Sequence, residues 1–250
     1  RIWDQAQRIV SQIEDRAPKT WSPKDEEGSV HYHQNFGDVP FEEGDWCVLA
    51  RTNHIANFYA SQLEEEGWVY SRNGKTSIHP QTYDAIMSWE DLVKGRSITI
   101  PALKNMYGFM KVGADYKKGY GPRAKCFTTL DSEQLIDMSF AEANLGLKWG
   151  NDTRWHKALS KIDLDTKNYV LNALRRGDNV KHPRIKVSTI HSMKGGESDN
   201  VLVITDLSYA SWKQYQKNPS VEHRVFYVAV TRAKKSLHIL EPTTRRYYEI

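Results

Sequence analysis

Four polar side chains fall on one short turn of this chain: Thr189, His191, Ser192 and Lys194, within TIHSMKGGE. They follow an apolar run at 185–190 that reads as a strand, so hydroxyl, imidazole and ammonium groups converge where strand gives way to loop. Groups of this kind bind phosphate oxygens without reading base sequence. His191 taken alone also fits a structural histidine. A second candidate is Arg232, in VEHRVFYVAVTRA. Val221, Val225, Val228 and Ala229 recur at helical spacing, and at about 100° per residue Arg232 lands almost above Val221 on that stripe. A guanidinium keeps its charge when buried, so it needs a carboxylate or a phosphate. The alternative is an arginine snorkelling to solvent at the helix end. A third group is Arg51, Thr52 and Asn53, directly after the apolar run 46–50. The carboxyl end of a strand is the ligand-facing edge of an open α/β sheet.

Other features carry less. Gly74-Lys75-Thr76 imitates the end of a phosphate-binding loop, G-x-x-x-x-G-K-[ST], but the first glycine position holds Val69, so the spacing predicts a turn. His31 and His33 alternate on a predicted strand with no carboxylate or cysteine nearby in sequence, which argues against a metal site. Lys111, Lys117, Lys118, Arg123 and Lys125 are interleaved with Tyr116 and Tyr120. Such a pattern suits phosphate contact with base stacking, and it equally suits a solvated loop.

These residues need elements to position them. Predicted strands at 30–36, 46–50 and 68–71 alternate with predicted helices at 2–13 and 54–66, the last with Ile55, Phe58, Tyr59 and Leu63 inward. That order implies a mostly parallel sheet covered on both faces. A polar connection at 18–28 separates the first helix from the first strand. Helical patterns at 83–93, 100–110, 132–142 and 167–176 then dominate, and the α/β character resumes at 185, with a second strand predicted at 201–205. The simplest account is an α/β domain split by a mostly helical insertion, with segments 1–76, 77–183 and 184–250. Lys and Arg total 35 against 31 Asp and Glu, a net charge of +4 that leans toward an anionic partner. Only Cys47 and Cys126 are present, which excludes a disulfide framework and points to a reducing, cytoplasmic setting. No apolar run approaches the roughly 18 residues of a membrane-spanning helix. The chain opens at Arg1 already in helical register, as expected of a piece of something longer.

The blocks TIHSMKGGE (189–197) and YVAVTRA (227–233) resemble motifs V and VI of superfamily 1 helicases of the UvrD/Rep/PcrA type, in the family's order and separation. ARTN (50–53) resembles motif IVa. Gly196 stands where the family usually has leucine and Ser198 where it usually has an aromatic. The resemblance implies a second RecA-like domain, a P-loop NTPase-type parallel sheet, interrupted by a helical accessory domain. It implies ATP with Mg2+ as cofactor, held mainly by an N-terminal RecA-like domain that this sequence does not include, since no Walker A or B motif occurs in it. Arg232 then takes the place of an arginine finger, and Gly195 and Glu197 face the nucleotide, the carboxylate on the ribose; a solvated loop glutamate is the alternative. Thr189, His191, Ser192, Lys194, Arg51, Thr52 and Asn53 take the place of single-strand contacts. The implied activity is an ATP-dependent DNA helicase acting on single strands and single-strand/duplex junctions. Lys194 favours 3′-to-5′ movement. The rival readings are the helicase part of a RecB-like or AddA-like helicase-nuclease, and a nucleic-acid-binding module without catalysis.

Overall fold

The computed structural model describes residues 1–14, 16, 27–131, 133–193 and 195–250. Most of the expected connection at 18–28, Ser132 and Lys194 lie outside the described residues. Helix α1 (Ile2–Ser11) buries Gln5, Ala6 and Ile9, and Ile13 just beyond it is also buried. Strand β1 (Ser29–His33) follows. Strand β2 (Trp46–Ala50) is buried along its whole length. Its alternation sends Trp46, Val48 and Ala50 into one apolar cluster and Cys47 and Leu49 into another, as expected for a strand covered on both faces. Helix α2 (Asn53–Glu65) buries Ala56, Tyr59, Ala60 and Leu63. Phe58, expected inward, is instead exposed, because the inward stripe runs through 56, 59, 60 and 63. Gly67 ends the helix at φ 79°, and the Trp68 N–H closes back on the Leu63 carbonyl at 2.7 Å. Strands β3 (Tyr70–Arg72) and β4 (Lys75–Thr76) form a hairpin. Its two linking residues, Asn73 and Gly74, both have positive φ (50° and 74°), the requirement of a tight type I′ turn. The phosphate-loop imitation therefore lies on a hairpin.

Residues 78–181 form a compact unit of their own. It holds helix α3 (Pro80–Val93), strand β5 (Ile98–Thr99), helix α4 (Ile100–Gly108), strand β6 (Leu135–Ile136), and helices α5 (Met138–Asn144), α6 (Trp155–Ala158) and α7 (Leu164–Arg176). The helix expected over 132–142 starts only at Met138. Leu135 and Ile136 pair with β5 instead, and Asp137 caps α5 by accepting from the Phe140 N–H at 2.8 Å. Asp163 and Gly177 bracket α7 in the same way, with Gly177 left-handed at φ 78°. The basic stretch is pinned by Asp115, whose carboxylate accepts from the Lys111 N–H (2.6 Å), the Trp149 indole (3.0 Å) and the Ser160 hydroxyl. Tyr116 is buried against Tyr107, which closes it off from base stacking.

The second unit combines residues 1–77 with 182–250. Its later elements are strands β7 (Ile185–Thr189) and β8 (Ser198–Ile204), helices α8 (Tyr209–Lys217) and α9 (Pro219–Val230), and strand β9 (Ala233–Leu240). The strand expected at 201–205 begins earlier, at Ser198. The seven strands run β1-β9-β8-β2-β7-β3-β4, parallel except for the β3–β4 hairpin. Residues of α2 join the apolar cluster on one face, and residues of α1 and α9 join the cluster on the other. This mostly parallel α/β sheet is consistent with a RecA-like fold. The inward face of α9 differs from the expected stripe: Glu222, His223, Phe226, Ala229 and Val230 are buried, while Val221, Val225 and Val228 are half-buried. The histidines of β1 meet β9. His33 Nε2 lies 2.8 Å from His238 Nδ1, and the His31 and Trp46 rings pack against His238. Among the described residues, no group of three or more His, Cys, Asp or Glu is arranged to hold a metal ion.

Candidate functional site

Polar clusters form at both edges of the sheet. At the carboxyl edge, Ala50 stands opposite Thr189 in the parallel β2–β7 pair, so the residues after each strand leave the sheet side by side. Thr189 Oγ1 lies 2.8 Å from Ser192 Oγ and accepts from the Ser192 N–H at 3.2 Å. This local bond bends the chain and leaves His191 and Ser192 exposed. Ile190 and Met193 turn the other way, into the core.

Arg51 continues the alternation of β2. It shares the parity of Cys47 and Leu49, whose face is the one that α9 covers. There its Nε and Nη2 donate to Glu222 Oε2 and Oε1 at 2.7 and 2.9 Å. The Glu222 side chain is fully buried and that of Arg51 is 15% exposed. Of Arg51, expected as a strand contact, two of the three guanidinium nitrogens are committed to a carboxylate. Sequence reasoning missed Glu222. Its partner is 171 residues away in the chain, so no local pattern announces the pair.

Thr52 and Asn53 open α2. No side chain caps that helix start, and Thr52 Oγ1 is buried without a hydrogen-bond partner. Asn53 is exposed and accepts from Arg72 Nη2 on its Oδ1 (3.0 Å) and on its backbone oxygen (3.3 Å). Arg72 ends β3, level with Val187 of β7, and sequence reasoning missed it as well. The signal was weak, a single arginine closing a short strand. Its Nη1 is buried without a partner.

At the amino edge, β8 and β9 begin side by side, Ser198 beside Ala233. Glu197 and Arg232 are the residues just before them. The Ser198 N–H donates to the Arg232 carbonyl at 3.0 Å. The half-buried Arg232 guanidinium donates from Nε to the Val228 carbonyl (3.0 Å), from Nη1 to the Gly196 carbonyl (3.2 Å) and from Nη2 to Thr231 Oγ1 (3.3 Å). The expected place on the helical stripe is corrected, because α9 ends at Val230 and Arg232 folds back over the helix end. Oxygen dipoles surround it, and no carboxylate among the described residues neutralises it. Glu197 is exposed, with Lys234 Nζ 3.9 Å away.

Glycines shape the segment between the two clusters. Gly195 is left-handed at φ 84°, a conformation that favours glycine. A Cβ at Gly196 would come within 2.9 Å of the Met193 thioether, so a pliable methionine fills the space where the related motifs carry a larger residue. Ser198, in the usual aromatic position, is buried and donates to the Asp45 carbonyl at 2.9 Å. Residues 190–197 thus leave β7 beside Ala50 at the carboxyl edge and arrive beside Arg232 at the amino edge. Cys47 offers no nucleophile here, since burial pushes its thiol up to about 12.

A parallel sheet with helices on both faces and polar turns at its edges defines the class, an α/β fold of RecA-like type. Within that class, the family model described as the UvrD-like helicase C-terminal domain matches residues 153–242. The match supports reading the chain as the C-terminal part of a UvrD-like helicase, a family whose members bind nucleic acid. It takes in the turn after β7, all of α9 and Arg232, while Arg51–Asn53 and Arg72 lie outside it. No curated relative matches the chain. Among the described residues, no helix is long and apolar enough to cross a membrane.

Proposed function

We propose that the protein is an ATP-dependent DNA helicase that moves along single-stranded DNA, with this chain supplying one wall of the nucleotide cleft and half of the strand grip. One observation carries the reading: a single short segment joins the two clusters. Any shift of residues 190–197 that follows nucleotide binding at Arg232 and Glu197 is transmitted to Thr189, His191 and Ser192 through a chain anchored in the core by Ile190 and Met193.

The donor set fits a nucleotide. Arg232 is a positive charge held by neutral oxygens, ready to meet phosphate. Glu197 is an exposed acceptor on the same edge, suited to a ribose hydroxyl pair, and Gly195 supplies the left-handed turn two residues before it. ATP with Mg2+ supplies the phosphoryl transfer whose developing charge an arginine stabilises. On the other edge, hydroxyl, imidazole and amide groups suit a sugar–phosphate backbone. Lys194 in the HSMKG turn favours 3′-to-5′ movement.

The test uses the full-length protein. Steady-state ATP hydrolysis should rise on adding single-stranded DNA, and affinity for the strand should fall steeply with salt while varying little with base sequence. A tailed duplex with a 3′ overhang should be unwound in preference to one with a 5′ overhang. Hydrolysis indifferent to DNA, together with salt-independent strand binding, would overturn the assignment.

A further inference from the structure

Among the described residues, Arg72 and Thr52 each hold a polar side-chain atom near the carboxyl edge that the fold leaves unsatisfied. Arg72 Nη1 and Thr52 Oγ1 are both buried, and neither has a hydrogen-bond partner among the described residues. A buried polar group without a partner is costly, and more so when it carries charge. Both residues adjoin Asn53. Thr52 precedes it in the chain, and Arg72 grips it through Nη2 at 3.0 Å on Oδ1 and 3.3 Å on the backbone oxygen. No carboxylate among the described residues pairs with Arg72, whereas Arg51, just after β2, commits two of its three guanidinium nitrogens to Glu222. The guanidinium is thus oriented by one edge while its other edge is unmatched.

We propose that Arg72, with the Thr52 hydroxyl, forms a seat for one backbone phosphate of the bound single strand. This rests on the strand-gripping reading above and extends it to a residue outside the three resembling motifs. A guanidinium presents its donors in a planar fork that suits phosphate oxygens, and a threonine hydroxyl donates to a third oxygen. Asn53 holds the fork in place: it takes one arm of the guanidinium and leaves the other for the phosphate. The seat reads no base and adds one neutralised phosphate to the grip.

The experiment titrates a fluorescently labelled oligothymidylate with the full-length protein over a salt series, beside a nucleotide titration and a thermal-unfolding check. Arg72→Gln is expected to weaken strand binding about tenfold, the loss of one charge-assisted hydrogen bond. It should also flatten the slope of log affinity against log salt by about 0.7, the increment for one phosphate on a single strand. Thr52→Val removes a hydroxyl that has no partner in the fold, so the unfolding midpoint should hold or rise while strand affinity falls about three- to tenfold. The second variant decides the matter if Arg72→Gln proves poorly folded. Wild-type binding with both folded variants inside about twofold of it overturns the seat and leaves the strand reading standing. A wild-type protein that does not bind the strand overturns the strand reading, and the seat with it. A loss confined to nucleotide affinity overturns the seat as a strand contact and gives its phosphate to the nucleotide.

Discussion

Arg232 meets three oxygen acceptors and, among the described residues, no carboxylate, so its charge there is solvated by dipoles and uncancelled. One of those acceptors, the Val228 carbonyl, belongs to the last turn of α9, where the helix dipole favours a cation. In the full-length protein, Arg232→Ala is expected to lower DNA-stimulated hydrolysis by about 10³- to 10⁵-fold, the usual contribution of an arginine finger. Stability should fall only by about 1 kcal/mol for the hydrogen bonds lost. Arg232→Lys should recover little, because an ammonium cannot reproduce the fork. Steady-state ATPase beside circular dichroism checks this, and a well-folded alanine variant keeping more than about a tenth of the rate removes Arg232 from catalysis. Glu222 answers to stability instead. Breaking a buried ion pair by removing one partner costs about 3 to 5 kcal/mol, so Glu222→Gln should shift the urea midpoint downward without changing the slope of the transition.

At the scale of elements, β1 and β9 carry a built-in dependence on pH. His238 is held down to about 4, first by burial and then by the nearby charges of His31 and His33. Burial and His31 lower His33 as well, while Asp38 pulls it back up. A folded pKa below the unfolded value of about 6.5 means that the unfolded chain binds more protons between those limits. Stability is therefore fully present above pH 6.5 and is lost as pH falls toward 4. For His238 the loss comes to about 2 kcal/mol between pH 7 and pH 5. Urea unfolding at the two values should show it, and His238→Gln should flatten the difference. An equal midpoint at both pH values in the wild type would exclude the cluster as its cause.

At the scale of the whole molecule, the proposed function gives one edge of the sheet to phosphates of a strand and the other to a nucleotide, but the chain contains no G-x-x-x-x-G-K-[ST] sequence to cradle the triphosphate. The 250-residue chain by itself is expected to show no DNA-stimulated ATPase activity. Measured hydrolysis that rises with added single-stranded DNA, in a preparation free of other ATPases, would contradict the division of the site. Weak, salt-sensitive binding of single strands should persist, since Asn53, Arg72, Thr189, His191 and Ser192 all belong to the unit of residues 1–77 and 182–250.

Local pattern determined a good deal of this protein. The unbroken apolar run of β2, the stripe of α1 and the turn chemistry of Asn73-Gly74 each express themselves within a few residues, because periodicity and φ preference act at that range. The motif residues, likewise, were legible as short blocks. Tertiary structure decided what those blocks face. Strand β9 opens with Ala233, Lys234, Lys235 and Ser236, which alternate with nothing, and it becomes a strand by lying between β1 and β8. The stripe of α9 turned by about one residue because Glu222 had to meet Arg51, whose side of β2 is fixed by strand parity. Thr189 and Arg232 came to opposite edges because β7, β8 and β9 all run parallel, so a strand's end and the next strand's start cannot share an edge. Arg72 reached Asn53 by the pairing of β3 with β7, a contact between segments that no spacing within either one encodes.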